Sequence, residues 1–178
     1  MNRFLRSTLT AGALCLPAVV LAGDTPHKGG KHAGAAQAVV TEGKDMKWGP
    51  GPAALPPGAQ AVVLDGDPSK PGAFTMRAKV PANYRIAPHH HPEDERVTVI
   101  SGTAKIGMGE TFDEAKMTAL GAGGYFSMPK GHRHYFTTTE ETVIQLNGQG
   151  PWDIIYVNPA DDPRKQKGAT KKAPGSAP

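Results

Sequence analysis

The sequence predicts an all-β protein, a single sandwich or barrel with an unstructured segment at each end, and three observations carry that expectation. Short runs rich in β-branched and aromatic residues recur from Ala61 to Val157, about nine of them, with turn signals roughly every 8–12 residues. The run Ala73 to Val80 alternates, with Phe74, Met76, Ala78 and Val80 on one face and Thr75, Arg77 and Lys79 on the other, the pattern of a half-buried strand. No stretch carries the spacing of an amphipathic helix. A domain spanning 46–160 is long enough to bury one core and no more.

The chain opens with a predicted export leader at 1–22. Arg3 and Arg6 supply positive charge, Ala11 to Leu21 is an apolar core too short for a stable span, and Val20-Leu21-Ala22 ends it with a small residue, so Gly23 is the expected first residue of the mature chain. Cys15 is the only cysteine. Leu14 stands before it where a lipoprotein signal needs a small residue, and the mature chain has no disulfide. Residues 23–45 read as a flexible linker without periodicity, in which His27 and His32 are expected to be exposed.

Met46-Lys47-Trp48, with the Gly and Pro clusters up to Gly58, forms an irregular entry to the domain. Strands are expected at Ala61–Leu64 and Ala73–Val80, separated by the turn cluster Asp65–Gly72. Further strands are expected at Glu95–Ile100, ended by Ser101-Gly102, and at Thr103–Met108, where Gly107 suggests a bulge. Gly109 to Lys116 is a polar excursion. Met117–Leu120 and Tyr125–Ser127 flank a run of glycines, and His134–Thr138 follows. Thr142–Leu146 and Trp152–Val157 close the series, joined by a predicted loop over Asn147–Pro151. Residues 161–178 read as a disordered basic tail. The formal charge of +4 is concentrated in the leader and the tails, which suits solvation or weak attraction to anionic surfaces and not nucleic-acid recognition. No Gly-rich phosphate loop and no Ser/His/Asp arrangement stands out.

Two stretches carry chemistry. The first is Pro88-His89-His90-His91-Pro92-Glu93-Asp94-Glu95, in a chain with 7 histidines. In an extended backbone His89 and His91 share one face and His90 points the other way. Two imidazoles so placed can converge on one ion at bond lengths of about 2.0–2.1 Å. Along a straight strand Glu95 would lie on the order of 13 Å from His91. Pro92 favours a turn at that point, which lets Glu95 open the next strand and return its carboxylate to the two rings, with Val97 and Val99 on the same face. Glu93 and Asp94 read as a solvated turn. In the second stretch, Pro129-Lys130-Gly131-His132-Arg133-His134, the two histidines have the same parity, so periodicity alone leaves both open as ligands. Glu140 and Glu141 sit in an expected turn and are given no catalytic role.

These residues resemble the cupin family. Its first motif, G-x5-H-x-H-x3-E-x6-G, is matched by His89, His91, Glu95 and Gly102, with Asn83 in place of the opening glycine. Asn tolerates a left-handed backbone better than most residues. Its second motif, G-x5-P-x-G-x2-H-x3-N, is matched by Gly123, Pro129, Gly131 and His134, with Thr138 in place of the final asparagine. The resemblance covers Met46 to Ala160. It implies a cupin β-barrel, the double-stranded β-helix or jelly roll, and selects His134 over His132. It further implies one divalent transition metal on His89, His91, Glu95 and His134, with Fe, Mn, Ni, Cu and Zn all compatible with such ligands.

Three neutral imidazoles and one carboxylate leave a divalent site with a local charge of about +1. The expected partner is therefore a small, oxygen-rich organic acid, and the resemblance implies an oxygenase, decarboxylase or isomerase acting on it. The alternative is a non-catalytic binding or sensing cupin. No nucleic acid and no membrane span after leader removal are expected, the location is periplasmic or secreted, and a homodimer is compatible with the pattern.

Overall fold

The computed structural model describes residues 38–166, which fold as two antiparallel sheets. The strands are β1 (Gly49–Pro50), β2 (Gln60–Asp65), β3 (Gly72–Val80), β4 (Arg85–His90), β5 (Glu95–Ser101), β6 (Ala104–Met108), β7 (Thr118–Leu120), β8 (Tyr125–Met128), β9 (His134–Thr138), β10 (Thr142–Gly150) and β11 (Ile155–Tyr156). The first sheet has the order β1-β2-β3-β10-β5-β8, the second β11-β4-β9-β6-β7. From β3 onward all sequence neighbours except β6 and β7 cross between the sheets, which makes the fold a jelly roll. The expected leader (1–22), most of the expected linker with His27 and His32, and residues 167–178 lie outside the described residues.

Alternation builds the core as the sequence suggests. Phe74, Met76, Ala78 and Val80 of β3 are all buried, as are Val97 and Val99 of β5. All of these but Ala78 meet Ile86, Ile106 and Phe136 of the other sheet in one apolar cluster. Burying each of the larger side chains stabilises the fold by about 1.5–3 kcal/mol. The Pro-rich entry is tied onto this core by two tyrosines: Tyr84 Oη donates to Pro56 O at 2.6 Å and Tyr156 Oη donates to Ala54 O at 2.8 Å. Burial pushes the Tyr156 hydroxyl up to about 12, so it remains a donor at any physiological pH.

Four sequence expectations are corrected. Asn147–Pro151 is not a loop, because β10 continues to Gly150, paired with β3 along its whole length. Gly148 is there for close approach: a Cβ would lie 3.0 Å from the Phe74 ring, and at Gly150 it would run into the backbone carbonyl of Lys70. Gly107 marks no bulge, because it pairs with Tyr135 in an unbroken register and leaves the space that the Tyr135 ring fills. Of Trp152–Val157 only Ile155–Tyr156 is strand. Finally, the tail does not begin at Asp161. Pro163–Gln166 form a short helical turn, α1, and Asp162 is buried, since its carboxylate takes the Arg164 guanidinium at 2.9 Å.

Candidate metal centre

Each candidate ligand is placed by a different piece of chain. His89 (β4) and His134 (β9) face each other across the second sheet in direct register. His91 lies just beyond β4, and Glu95 opens β5 in the first sheet. The site therefore bridges the two sheets. The turn through Pro92, Glu93 and Asp94 returns the chain as the sequence predicts. It is held from outside by Lys130, whose N–H donates to Asp94 Oδ1 at 2.9 Å and whose Nζ donates to Glu93 Oε1 at 3.1 Å.

The faces are not set by simple alternation. Ile86 and His89 are both buried although three residues apart. A register shift between β4 and β9 falls between them, and this bulge re-aims the strand. Without it the face of Ile86 would carry Pro88 and His90. Sequence reasoning missed the bulge. Pro88 was the one available signal, since proline within a sheet sits at edges and bulges.

His89, His91 and His134 each offer a nitrogen within 4.8 Å of the others. His132 is exposed and His90 only partly buried, and neither joins the cluster. The three rings are oriented alike. Nδ1–H of His89 donates to Ala87 O at 2.8 Å, that of His91 to Asp153 O at 2.8 Å, and that of His134 to His132 O at 3.0 Å. With the proton on Nδ1, every Nε2 carries its lone pair into the site. Glu95 meets the same space: Oε1 is 3.6 Å from His91 Nε2 and Oε2 is 3.2 Å from His134 Nε2.

Such a set of lone pairs facing one another is satisfied by a cation. His91 Nε2 and Glu95 Oε2 are buried and have no hydrogen-bond partner among the described residues, at a cost of about 1–3 kcal/mol for each orphaned group. Burial, reinforced by the neighbouring imidazoles of His134 and His91, holds His89 well below the usual imidazole range. Burial also pushes His91 down, opposed by the Glu95 carboxylate and the bond to Asp153. Two of the rings are thus neutral at neutral pH, the form that ligates. The residues fit a divalent transition metal in both donor chemistry and protonation.

The site opens on a cavity of about 220 Å³ between the sheets, smaller than the roughly 300–1,000 Å³ of pockets for drug-sized ligands. Met76, Val80, Ile86, Phe136, Ile144 and Leu146 belong to its apolar wall. Trp152 stacks on the His91 ring, with centroids 4.2 Å apart and planes at 16°. Among the described residues no Lys or Arg lines it. Sequence reasoning named none of these wall residues as a site, because apolar strand residues read as core.

The motif turns behave as their residue types require. Asn83 has φ 57°, the left-handed conformation needed where the cupin pattern has glycine. Gly102, Gly123 and Gly131 also have positive φ. Thr138 Oγ1 accepts from Tyr84 N–H at 3.0 Å and donates to Pro81 O at 2.8 Å, so it ties β9 to the turn that leads into β4.

The fold is a cupin-like jelly roll. More particularly, residues 20–155 match the family described as a domain of unknown function, DUF4437, and the chain belongs to that family. No curated protein matches it in sequence. Among solved structures it is similar to the polyketide cyclase RemF of Streptomyces resistomycificus, with 17% identity over 74% of this chain and 94% of that one, at a TM-score of 0.58. It is also similar to a proposed acetylacetone dioxygenase of Methylibium petroleiphilum PM1, with 21% identity over 77% and 96% of the two chains, at a TM-score of 0.55. A third is a proposed ethanolamine utilization protein Q of Salmonella typhimurium LT2, with 18% identity over 62% and 84% and a TM-score of 0.51. These likenesses establish the shared fold. Among the described residues no helix is long and apolar enough to cross a membrane.

Proposed function

We propose that this chain is an exported, mononuclear metal-dependent cupin enzyme. Its substrate is a small, mainly apolar molecule that presents one or two oxygen donors, such as an enolisable carbonyl compound or a monocarboxylic acid. One observation carries the reading: the cluster of His89, His91 and His134 with Glu95 borders a partly open, mainly apolar cavity, whose wall includes His89, His91 and Glu95. His89, His91, His134 and Glu95 would hold the ion, which when bound supplies Lewis acidity and a place for a ligand oxygen.

The protein's part is to position, desolvate and select. The apolar wall excludes water and seats the body of the ligand. Its lack of Lys and Arg leaves about one unit of positive charge at the site, enough for one carboxylate or enolate. A second carboxylate or a phosphate would be stranded without a partner, at several kcal/mol. The oxygen-rich acid expected from ligand charge alone thus narrows to a singly charged or enolisable compound. Two proteins that share this fold, the polyketide cyclase RemF and a proposed acetylacetone dioxygenase, carry names in keeping with such substrates.

One observation favours the binding module instead. Beyond the candidate ligands, Asp153 is the one titratable residue in the wall among the described residues, and Arg164 Nη1 donates to its carboxylate at 2.8 Å. Among the described residues of the wall no free acid or base is left to move a proton. The deciding experiment loads untagged protein with Co or Mn and titrates β-dicarbonyls, monocarboxylates and a tricarboxylate. The metal's absorption or water relaxation and loss of the added compound are followed. Displacement of an exchangeable water with consumption supports the enzyme. Displacement without consumption supports the binding module. No response to any compound leaves a structural metal.

A further inference from the structure

Two of the three imidazoles are oriented by their own strand. The carbonyls that take the Nδ1–H of His89 and His134 belong to Ala87 and His132, each two residues earlier in the chain. His91 differs: its Nδ1–H donates to the carbonyl of Asp153, 62 residues away. Asp153 lies between β10 and β11, in residues 152–154 that belong to neither strand, so no ladder fixes that carbonyl.

Arg164 fixes it from the far side. Its Nη1 donates to Asp153 Oδ1 at 2.8 Å, and its Nη2 donates to Ile154 O at 3.0 Å. Asp153 Oδ1 also accepts from Ile154 N–H at 2.8 Å, which closes the peptide against its own side chain. The guanidinium is held in turn by buried Asp162, whose carboxylate accepts from Nε at 2.9 Å and from Nη2 at 2.9 Å. On the other side Trp152 N–H donates to Pro68 O at 2.7 Å and the indole stacks on His91. Both Arg164 and Asp153 are partly exposed, so their charge attraction is screened. The fork geometry, with three acceptor groups on one planar guanidinium, does the fixing.

We infer that Arg164 is a positioning residue for the metal centre: through Asp153 and Ile154 it sets the carbonyl that orients His91. The inference rests on the reading of His91 as a metal ligand for its consequence, but the clamp itself needs no metal. It also gives the segment after Asp161 a role in the site, although the sequence there reads as tail.

The test is imidazole N–H exchange, followed by NMR in metal-free protein, together with zinc affinity from chelator competition. In Arg164→Ala, Nδ1–H exchange at His91 should speed up by about tenfold while His89 and His134 keep their rates, and zinc affinity should fall by about tenfold. Arg164→Lys should restore little, because it lacks the fork. Lys105→Ala, which removes an ion pair with Glu114 remote from the site, should change neither quantity. Where Arg164→Ala does not fold, Asp162→Asn loosens the same guanidinium and gives the same comparison. Equal acceleration at all three histidines, or none at His91, overturns the inference. A His91 response in a chain that binds no zinc keeps the clamp and removes the metal reading instead.

Discussion

Three histidines stand in sequence at 89–91, yet the middle one has a different fate. His89 and His91 turn Nε2 into the site, while His90 pairs across to Ile155 at the edge of the second sheet. His89→Ala, His91→Ala and His134→Ala should each weaken metal binding by at least about tenfold, whereas His90→Ala and His132→Ala should leave it within about twofold. Metal content after dialysis checks this. Retention by His91→Ala with loss from His90→Ala would reverse the assignment of faces. Glu95→Gln keeps the shape and removes the charge. It should lower metal affinity while leaving the metal-free fold at least as stable, because one orphaned acceptor becomes an amide that can donate to a facing Nε2. Chelator competition and urea unfolding separate the two effects.

At the scale of the strand, glycine and threonine do work that composition hides. Gly107 sits under the Tyr135 ring, and an added Cβ would overlap it. Gly107→Ala should therefore destabilise by about 1–3 kcal/mol through overpacking, seen as a lower urea midpoint at unchanged slope. Thr138→Val deletes both the acceptor for Tyr84 N–H and the donor to Pro81 O, and should cost about 1–3 kcal/mol. An unchanged midpoint for either variant would mean that β9 shifts to accommodate it. The strands themselves were legible: β3 and β5 alternate as written, since each buries one face only. β10 was misjudged because Gly148 and Gly150 read as turn signals. Their φ freedom is not what the chain uses. They are there because Phe74 and the carbonyl of Lys70 approach too closely for a side chain.

For the whole molecule, metal and protons are linked to folding. His89 and His91 titrate below the usual imidazole value when folded and near about 6.5 when unfolded. Between those values the unfolded chain binds more protons, so stability of the metal-free protein should fall as the pH drops below about 6.5 and should not depend on these groups above it. Metal release on acidification should likewise begin below about 6.5, because the buried rings resist protonation. Thermal unfolding and metal retention across pH 7 to 4 check both. Chelation at neutral pH should lower Tm, since an ion that binds only the folded state stabilises it by about 2.7 kcal/mol at 100 times its dissociation constant.

The sequence by itself determined the all-β class and the two motif turns. Those features depend on local rules: period-two alternation, the turn preference of Pro92, and the positive φ that Asn83 and the motif glycines can adopt. It also separated His134 from His132, though only through the resemblance and not through periodicity. Tertiary structure decided the rest. The bulge between Ile86 and His89 chose which face of β4 carries the imidazoles, because register is a property of the β4–β9 pair and not of either strand. The apolar cavity exists because two sheets stand apart where each strand alone shows only core. Asp153 reaches His91, and Arg164 reaches Asp153, across separations that no local pattern encodes. Hydrogen bonds between distant segments are fixed by packing, and packing is known only once the sheets have closed.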